Sequence, residues 1–423
     1  MKIEAKVVSI ETIKPSSPTP KPLKKHYLSF LDQLAPPYFS SRVYFYSSNP
    51  TIPNSQKSNL LKKSLSETLS RFYPLAGRLI DNLYVDCNDG GTPFFEAEAN
   101  CDLSQVITNP DPENMKKFLP YKLNESQDIC MAVQATYFHC GGLAVGLLIS
   151  HKIADASSLT LFSNTWSAVS RNGDGGGVPF PKFDGATYFP PHDVSGFSPS
   201  TEGMMKEELT TRIFTFPAAK ISVLRERFSG GSGGLPGRRP SRVEALSAFI
   251  WTRFISATGV KADQNIKTYI VNQAVNLRTR VDPPLSEYHF GNLIWASIAR
   301  LAADDDDVEV INKFREAMKA VISAGYDVAK LKELNLMKEM MGQARKGELV
   351  SLSFTSYCGF AVYEVDFGWG KPDWVGLPGL PYKNFVIFKD TKGGDDGIEA
   401  MVHLRKRDMQ KFEDDLEMKR LKE

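Results

Sequence analysis
A histidine followed at the fourth position by an aspartate, in Ser150-His151-Lys152-Ile153-Ala154-Asp155, is the arrangement in this chain best suited to chemistry. An imidazole with an ordinary pKa of ~6.5 can take a proton from a hydroxyl near neutral pH, a step worth ~100- to 10,000-fold in rate. Asp155 could hold the ring or stabilise the site. In a continuous helix the spacing would put both side chains on one face. The same residues also read as a junction histidine followed by an aspartate at a helix N-terminus. Spacing does not choose between the two readings. With six histidines in the chain, a His four residues ahead of an Asp arises by chance in about one such sequence in three.

Other candidate motifs carry less. His26, His139, His192, His289 and His403 lack a partner at useful spacing and read as surface or packing residues. Val365-Asp366-Phe367-Gly368-Trp369-Gly370-Lys371-Pro372 sets two glycines around a tryptophan, the composition of a tight loop pinned by an aromatic anchor. Its Asp-Phe-Gly invites a protein-kinase reading, which fails because no Gly-rich phosphate loop, Val-Ala-Ile-Lys or His-Arg-Asp accompanies it. Gly230-Gly231-Ser232-Gly233-Gly234 formally matches a nucleophile elbow, but lacks the strand before and helix after that the elbow requires. No dinucleotide fingerprint, Walker A or zincin motif occurs.

The elements that must position His151 can be read from periodicity. Leu143 to Ile149 is a continuous apolar run of strand length, and Cys130 to Tyr137 before Gly141-Gly142 predicts a hairpin with it. After His151 the period changes, with Leu159, Phe162, Trp166 and Val169 on one helical face, so His151 sits where a buried strand passes into a helix. Such junctions carry chemistry on rigid scaffolding. Upstream, a helix is expected from Asn59 to Phe72, ended before Pro74, and a hairpin at Tyr84 to Cys87 and Phe94 to Glu98 around Asn88-Asp89-Gly90-Gly91. Downstream, a helix begins near Ser241 and runs through Trp251. Strands near Thr268 to Ala274, Leu293 to Ala299, Ser351 to Phe354, Ala361 to Val365 and Asn384 to Phe388, with helices near 308–324 and 327–343, complete an α/β second half.

At 423 residues the chain exceeds one ordinary core, and two domains are expected: residues 1–190, a crossover at 191–208 within a stretch rich in Gly, Pro, Ser and Asp, and residues 209–423. Hydrophobic residues at 42% and charged residues at 24% suffice to fill two cores. With 51 Lys plus Arg against 49 Asp plus Glu, nothing in the charge points to nucleic acid or an anionic membrane, so any basic site must be local. The run Asp304 to Asp307 reads as a solvated loop. Five cysteines without a CxxC pair argue against a disulfide framework and a zinc site. The N-terminus forms no signal-peptide apolar core, and the longest apolar stretch is about half a membrane span, so a cytoplasmic protein is expected and the sequon Asn124-Glu125-Ser126 is discounted.

His151 with Asp155, followed by Asp366-Phe367-Gly368-Trp369-Gly370, resembles the paired signature of the plant BAHD acyltransferases. The resemblance extends to Phe72-Tyr73-Pro74-Leu75-Ala76-Gly77-Arg78, Val85 to Asp89, Asn276-Leu277-Arg278 through Phe290-Gly291-Asn292, and Pro15 to Pro20 with Leu31-Asp32-Gln33. It spans nearly the whole chain and is closest to the branch that acetylates alkaloid alcohols. It implies two α/β domains with mixed sheets, each like chloramphenicol acetyltransferase, with a channel between them, and a monomer. No bound cofactor is implied; an acyl-CoA, acetyl-CoA by this branch, is the co-substrate, and the acceptor is an alcohol of a bulky specialised metabolite such as an alkaloid, terpenoid or quinone. His151 is then the base, with direct transfer and no acyl-enzyme.

The resemblance also assigns the remaining residues. Asp155 turns away to pair with Arg278, while Asp366, Gly368, Trp369 and Gly370 are structural. Thr355 or Tyr357 is placed to assist the oxyanion, with Tyr357 departing from the usual Trp. Ser241 and Arg242 at a helix start, with Arg238 and Arg239 nearby, stand at the CoA-binding position, where a helix N-terminus and guanidinium groups make an anion site. Ser150 and Ala156 depart from the His-His-xxx-Asp-Gly of peptide condensation domains. An N-acyltransferase with the same machinery and a non-catalytic acyl-CoA-binding relative are the alternatives.

Overall fold
The apolar run before His151 is buried at all eight positions of the strand Leu143–Ser150, as expected for a strand covered on both faces. It belongs to a computed structural model that describes residues 2–121, 128–173, 177–194, 208–229, 238–260, 265–329, 332–380 and 382–422. The sequon Asn124-Glu125-Ser126, most of the expected crossover (195–207) and Gly230 to Gly234 lie outside the described residues.

The chain divides into two compact units. The first comprises Met1–Ser200, Leu285–Leu293 and Phe360–Leu380; the second comprises Thr201–Pro284, Ile294–Gly359 and Pro381–Glu423. The expected division into 1–190, a crossover at 191–208 and 209–423 runs along the chain, whereas these units are discontinuous and the Asp366–Gly370 loop belongs to the one that holds the N-terminal residues.

In the first unit a six-stranded mixed sheet has the order β1 (Ala5–Ile13), β6 (Thr92–Ala99), β7 (Met131–Tyr137), β8 (Leu143–Ser150), β3 (Phe39–Tyr46) and β13 (Trp374–Gly376). Only β6 and β7 pair in parallel. Helices Asn54–Arg71 and Ala156–Asn172 cover one face through Leu61, Leu65 and Leu69 with Leu159, Phe162 and Trp166, against Tyr44, Tyr46, Val145 and Leu147. The other face packs Phe45 against Phe118 and Trp374. Gly146 is required here, since a Cβ would lie 1.9 Å from the Phe118 carbonyl oxygen.

The expected β7–β8 hairpin forms. The one expected at Asn88 to Gly91 does not: β5 (Tyr84–Asp86) pairs with β4 (Arg78–Ile80) and β2 (Lys25–Tyr27) in a three-stranded sheet. The turn that wins has Asp81 and Asn82 at positive φ, the geometry of a tight hairpin, while Asp89 holds the Pro-rich N-terminal segment through Thr19 and Lys24.

The second unit has a six-stranded mixed sheet in the order β11 (Ile294–Leu301), β10 (Thr268–Asn276), β12 (Leu349–Ser356), β14 (Phe385–Asp390), β15 (Ile398–Arg405) and β9 (Leu209–Phe216). Helices Ala218–Ser229, Arg242–Thr258 and Asp307–Ala324 build its core against Val271, Leu352, Val386 and Val402. Of the run Asp304 to Asp307, expected as a solvated loop, Asp304 to Asp306 lie in the loop before a helix. Asp306 caps the helix Asp307–Ala324 through the N–H groups of Val308 and Glu309. Expected strand Ala361 to Val365, which lies in the first unit, contains a short 3-10 turn, Val362–Glu364.

Candidate active site
His151 is held by the end of the ladder that precedes it. Ser150 pairs with Phe39, and the His151 N–H continues the register by donating to the Tyr38 carbonyl at 2.8 Å. The Tyr38 ring meets the imidazole edge-on at 5.1 Å between centroids. His151 Nδ1 lies 3.0 Å from Asn292 Oδ1, and Asn292 Nδ2 donates back to the His151 carbonyl at 2.6 Å. Nε2 has no hydrogen-bond partner among the described residues. Burial holds the imidazole below its ordinary pKa of 6.5, outweighing its hydrogen bonds and the nearby Asp155 charge, which raise it. The ring is therefore neutral at neutral pH, as a base must be.

Asp155 does something else. It is the N-cap of helix Ala156–Asn172: one oxygen accepts from Ser158 N–H at 2.8 Å, the other from Leu293 N–H at 3.0 Å. His151 precedes that helix, so the shared helical face suggested by spacing does not exist. Ser158 completes the attachment, its hydroxyl lying 2.9 Å from the Gly291 carbonyl oxygen and 3.0 Å from the Gly291 N–H. The segment Gly291-Asn292-Leu293 is thus tied to the start of this helix. Lys152, buried next to His151 in the chain, donates to the Gln33 carbonyl at 2.9 Å, and burial lowers its pKa to about 8.

The Asp366–Gly370 loop rests on the other end of the same helix. Asp366 Oδ1 accepts from Gly368 N–H at 2.8 Å and Gly370 N–H at 2.9 Å, so its carboxylate closes a turn. Both glycines have positive φ, at 111° and 109°. Ser170 donates to the Phe367 carbonyl at 2.9 Å, Arg171 to that of Asp366, and the Phe367 ring lies 4.7 Å from Trp166 and 5.5 Å from Trp369.

The other expected site residues belong to the second unit. Thr355 lies on β12 and Tyr357 just after it, its N–H donating to the Phe388 carbonyl at 2.8 Å. Arg278 is buried, with its N–H and guanidinium near Asn276 Oδ1 at 3.1 and 3.3 Å. Ser241 caps its helix as expected, but Glu244 reciprocates by accepting from Ser241 N–H at 2.7 Å. Arg242 pairs with Asp390 at 3.0 Å and Arg238 with Glu244 at 3.7 Å. The expected anion site already holds a carboxylate of its own. Among the described residues no group of three His, Cys, Asp or Glu converges as a metal set.

Comparison with known proteins agrees with this architecture. A family model described as the Transferase family matches residues 1–419. Limonoid 1-O-acetyltransferase of Citrus sinensis is 36% identical, over 98% of this chain and 97% of its own. Vinorine synthase of Rauvolfia serpentina is 38% identical over 95% and 94%, and salutaridinol 7-O-acetyltransferase of Papaver somniferum 32% over 96% and 96%. The crystal structure of vinorine synthase superposes with a TM-score of 0.84, covering 99% of each chain at 35% identity.

Proposed function
Because the chain belongs to the Transferase family, the BAHD acyltransferases, we propose that it is an acyl-CoA-dependent O-acyltransferase acting on a hydroxyl of a bulky plant specialised metabolite. Limonoid and salutaridinol O-acetyltransferases among the relatives favour acetyl-CoA as donor and an alkaloid, terpenoid or quinone-like alcohol as acceptor. One observation carries the reading: a neutral imidazole at the end of β8, held through Nδ1 and open at Nε2.

In the proposed mechanism, Nε2 removes the proton of the acceptor hydroxyl as its oxygen attacks the thioester carbonyl carbon. The tetrahedral intermediate expels the CoA thiolate, the C–S bond breaks, and the imidazolium returns the proton to sulfur. Products are the ester and free CoA thiol, and no acyl-enzyme forms. Thr355 or Tyr357 is the proposed donor to the oxyanion, Arg278 the proposed counter-ion of Asp155, and Ser241, Arg242 and Arg238 the proposed CoA contacts. Substitutions at each separate these roles: loss of kcat without change in KM for acetyl-CoA would exclude a CoA contact. We place the enzyme in the cytoplasm as a monomer; among the described residues no helix is long and apolar enough to cross a membrane.

Thiol release from acetyl-CoA with a panel of polycyclic alcohols tests the assignment. His151→Ala is expected to lose ~100- to 10,000-fold in kcat with its fold retained. Full activity in that variant would sink the general-base role.

A further inference from the structure
The Asn292 amide is oriented from the side away from the imidazole. Its Nδ2 lies 2.9 Å from Asp32 Oδ1, which also accepts the Asn292 backbone N–H, and 2.6 Å from the His151 carbonyl oxygen, so both neighbours are acceptors. Nitrogen must face them, so Oδ1 must face the ring. An amide oxygen cannot donate, so the imidazole proton sits on Nδ1 and Nε2 keeps its lone pair.

Asp32 is itself immobilised. It is 2% exposed; Oδ2 accepts from the Ser29 N–H at 2.9 Å and the Ser29 hydroxyl at 2.6 Å, and Oδ1 also accepts the Asn292 N–H at 2.8 Å. These bonds make it the N3 member of a capping box on the helix Phe30–Leu34. A capping box needs only one of its oxygens. The other is directed at Asn292.

We propose that Asp32 is a positioning residue for the base, fixing through Asn292 the imidazole tautomer that leaves Nε2 able to accept a proton. Its consequence for rate rests on the general-base role of His151 proposed above; the tautomer itself does not. Two further charged groups stand near: Lys152, bound to the Gln33 carbonyl, and Asp155, engaged with the N–H groups of Ser158 and Leu293.

The test is nitrogen-proton correlation spectroscopy of the full-length protein labelled with 15N-histidine, the His151 signals being assigned by their loss in His151→Gln. The wild type is expected to show a single Nδ1–H tautomer above the imidazole pKa. Asp32→Asn is isosteric, and an amide at position 32 can turn its NH2 toward Asn292 and let that side chain flip. It is expected to populate Nε2–H and to lose ~10- to 100-fold in kcat, with KM for acetyl-CoA within about two-fold. A wild-type Nε2–H spectrum overturns the proposal without any variant, and so does an Asp32→Asn protein with unchanged tautomer and kcat. A shifted tautomer with unchanged kcat would instead leave the tautomer control standing and remove the base assignment.

Discussion

His151 illustrates how much a residue type can disclose and where disclosure stops. Its chemistry and its place after an apolar run were legible, because imidazole is the side chain that titrates near neutrality and a period change marks a strand-to-helix junction. Asn292 and Asp32, which decide what the ring can do, were visible only as members of resembling segments without a role. Asn292 lies 141 residues from His151 and 260 residues from Asp32, and no periodicity links such positions. The pH dependence follows from burial. With His151 in the proposed general-base role, and its pKa held below 6.5 by burial, the acid limb of kcat/KM is expected to have its midpoint below 6.5. A midpoint above 6.5 in a pH–rate profile would contradict it. By linkage, the unfolded chain binds more protons at this site once the pH drops below about 6.5, so the stability contribution of His151 falls there.

The helix Ala156–Asn172 joins the two motifs at the scale of elements. Asp155 caps its start four residues after His151, and Ser170, Arg171 and Trp166 hold the Asp366–Gly370 loop near its end. The loop is therefore tied to the helix that Asp155 caps, and its carboxylate is engaged by its own turn. Phe367→Ala removes a ring that is 1% exposed, packed on Trp166, Trp369 and Tyr46, and is expected to cost ~3–5 kcal/mol in urea unfolding. A loss below about 1 kcal/mol would argue that the loop does not support the helix. Helices were the more legible elements: the expected Asn59 to Phe72 is Asn54–Arg71, its start missed because its first turn carries no apolar residue. Short strands were less so, since β4 and β13 have three residues each and no period can be counted over three, although β5 falls on the expected Tyr84 to Cys87.

At the scale of the molecule, the first unit is completed by chain from far downstream. β13 pairs with β3 through Trp374, Val375 and Gly376, and Leu285–Leu293 supplies Asn292. A fragment ending at residue 200 would lack both, leaving Phe45 without its stacking partner Trp374 and Asp155 without the Leu293 N–H. It is expected to give a poorly dispersed amide spectrum and no cooperative melt, while the full chain melts cooperatively; a sharp melt of the fragment alone would refute this. The sequence by itself determined the α/β class, the strand-to-helix setting of His151, and the family, because these rest on local periodicity, side-chain chemistry and motifs read in order. Only the tertiary structure decided what holds the His151 ring, that Asp155 is a cap, and which unit owns the Asp366–Gly370 loop. Those depend on hydrogen bonds and packing between segments that chain order keeps far apart.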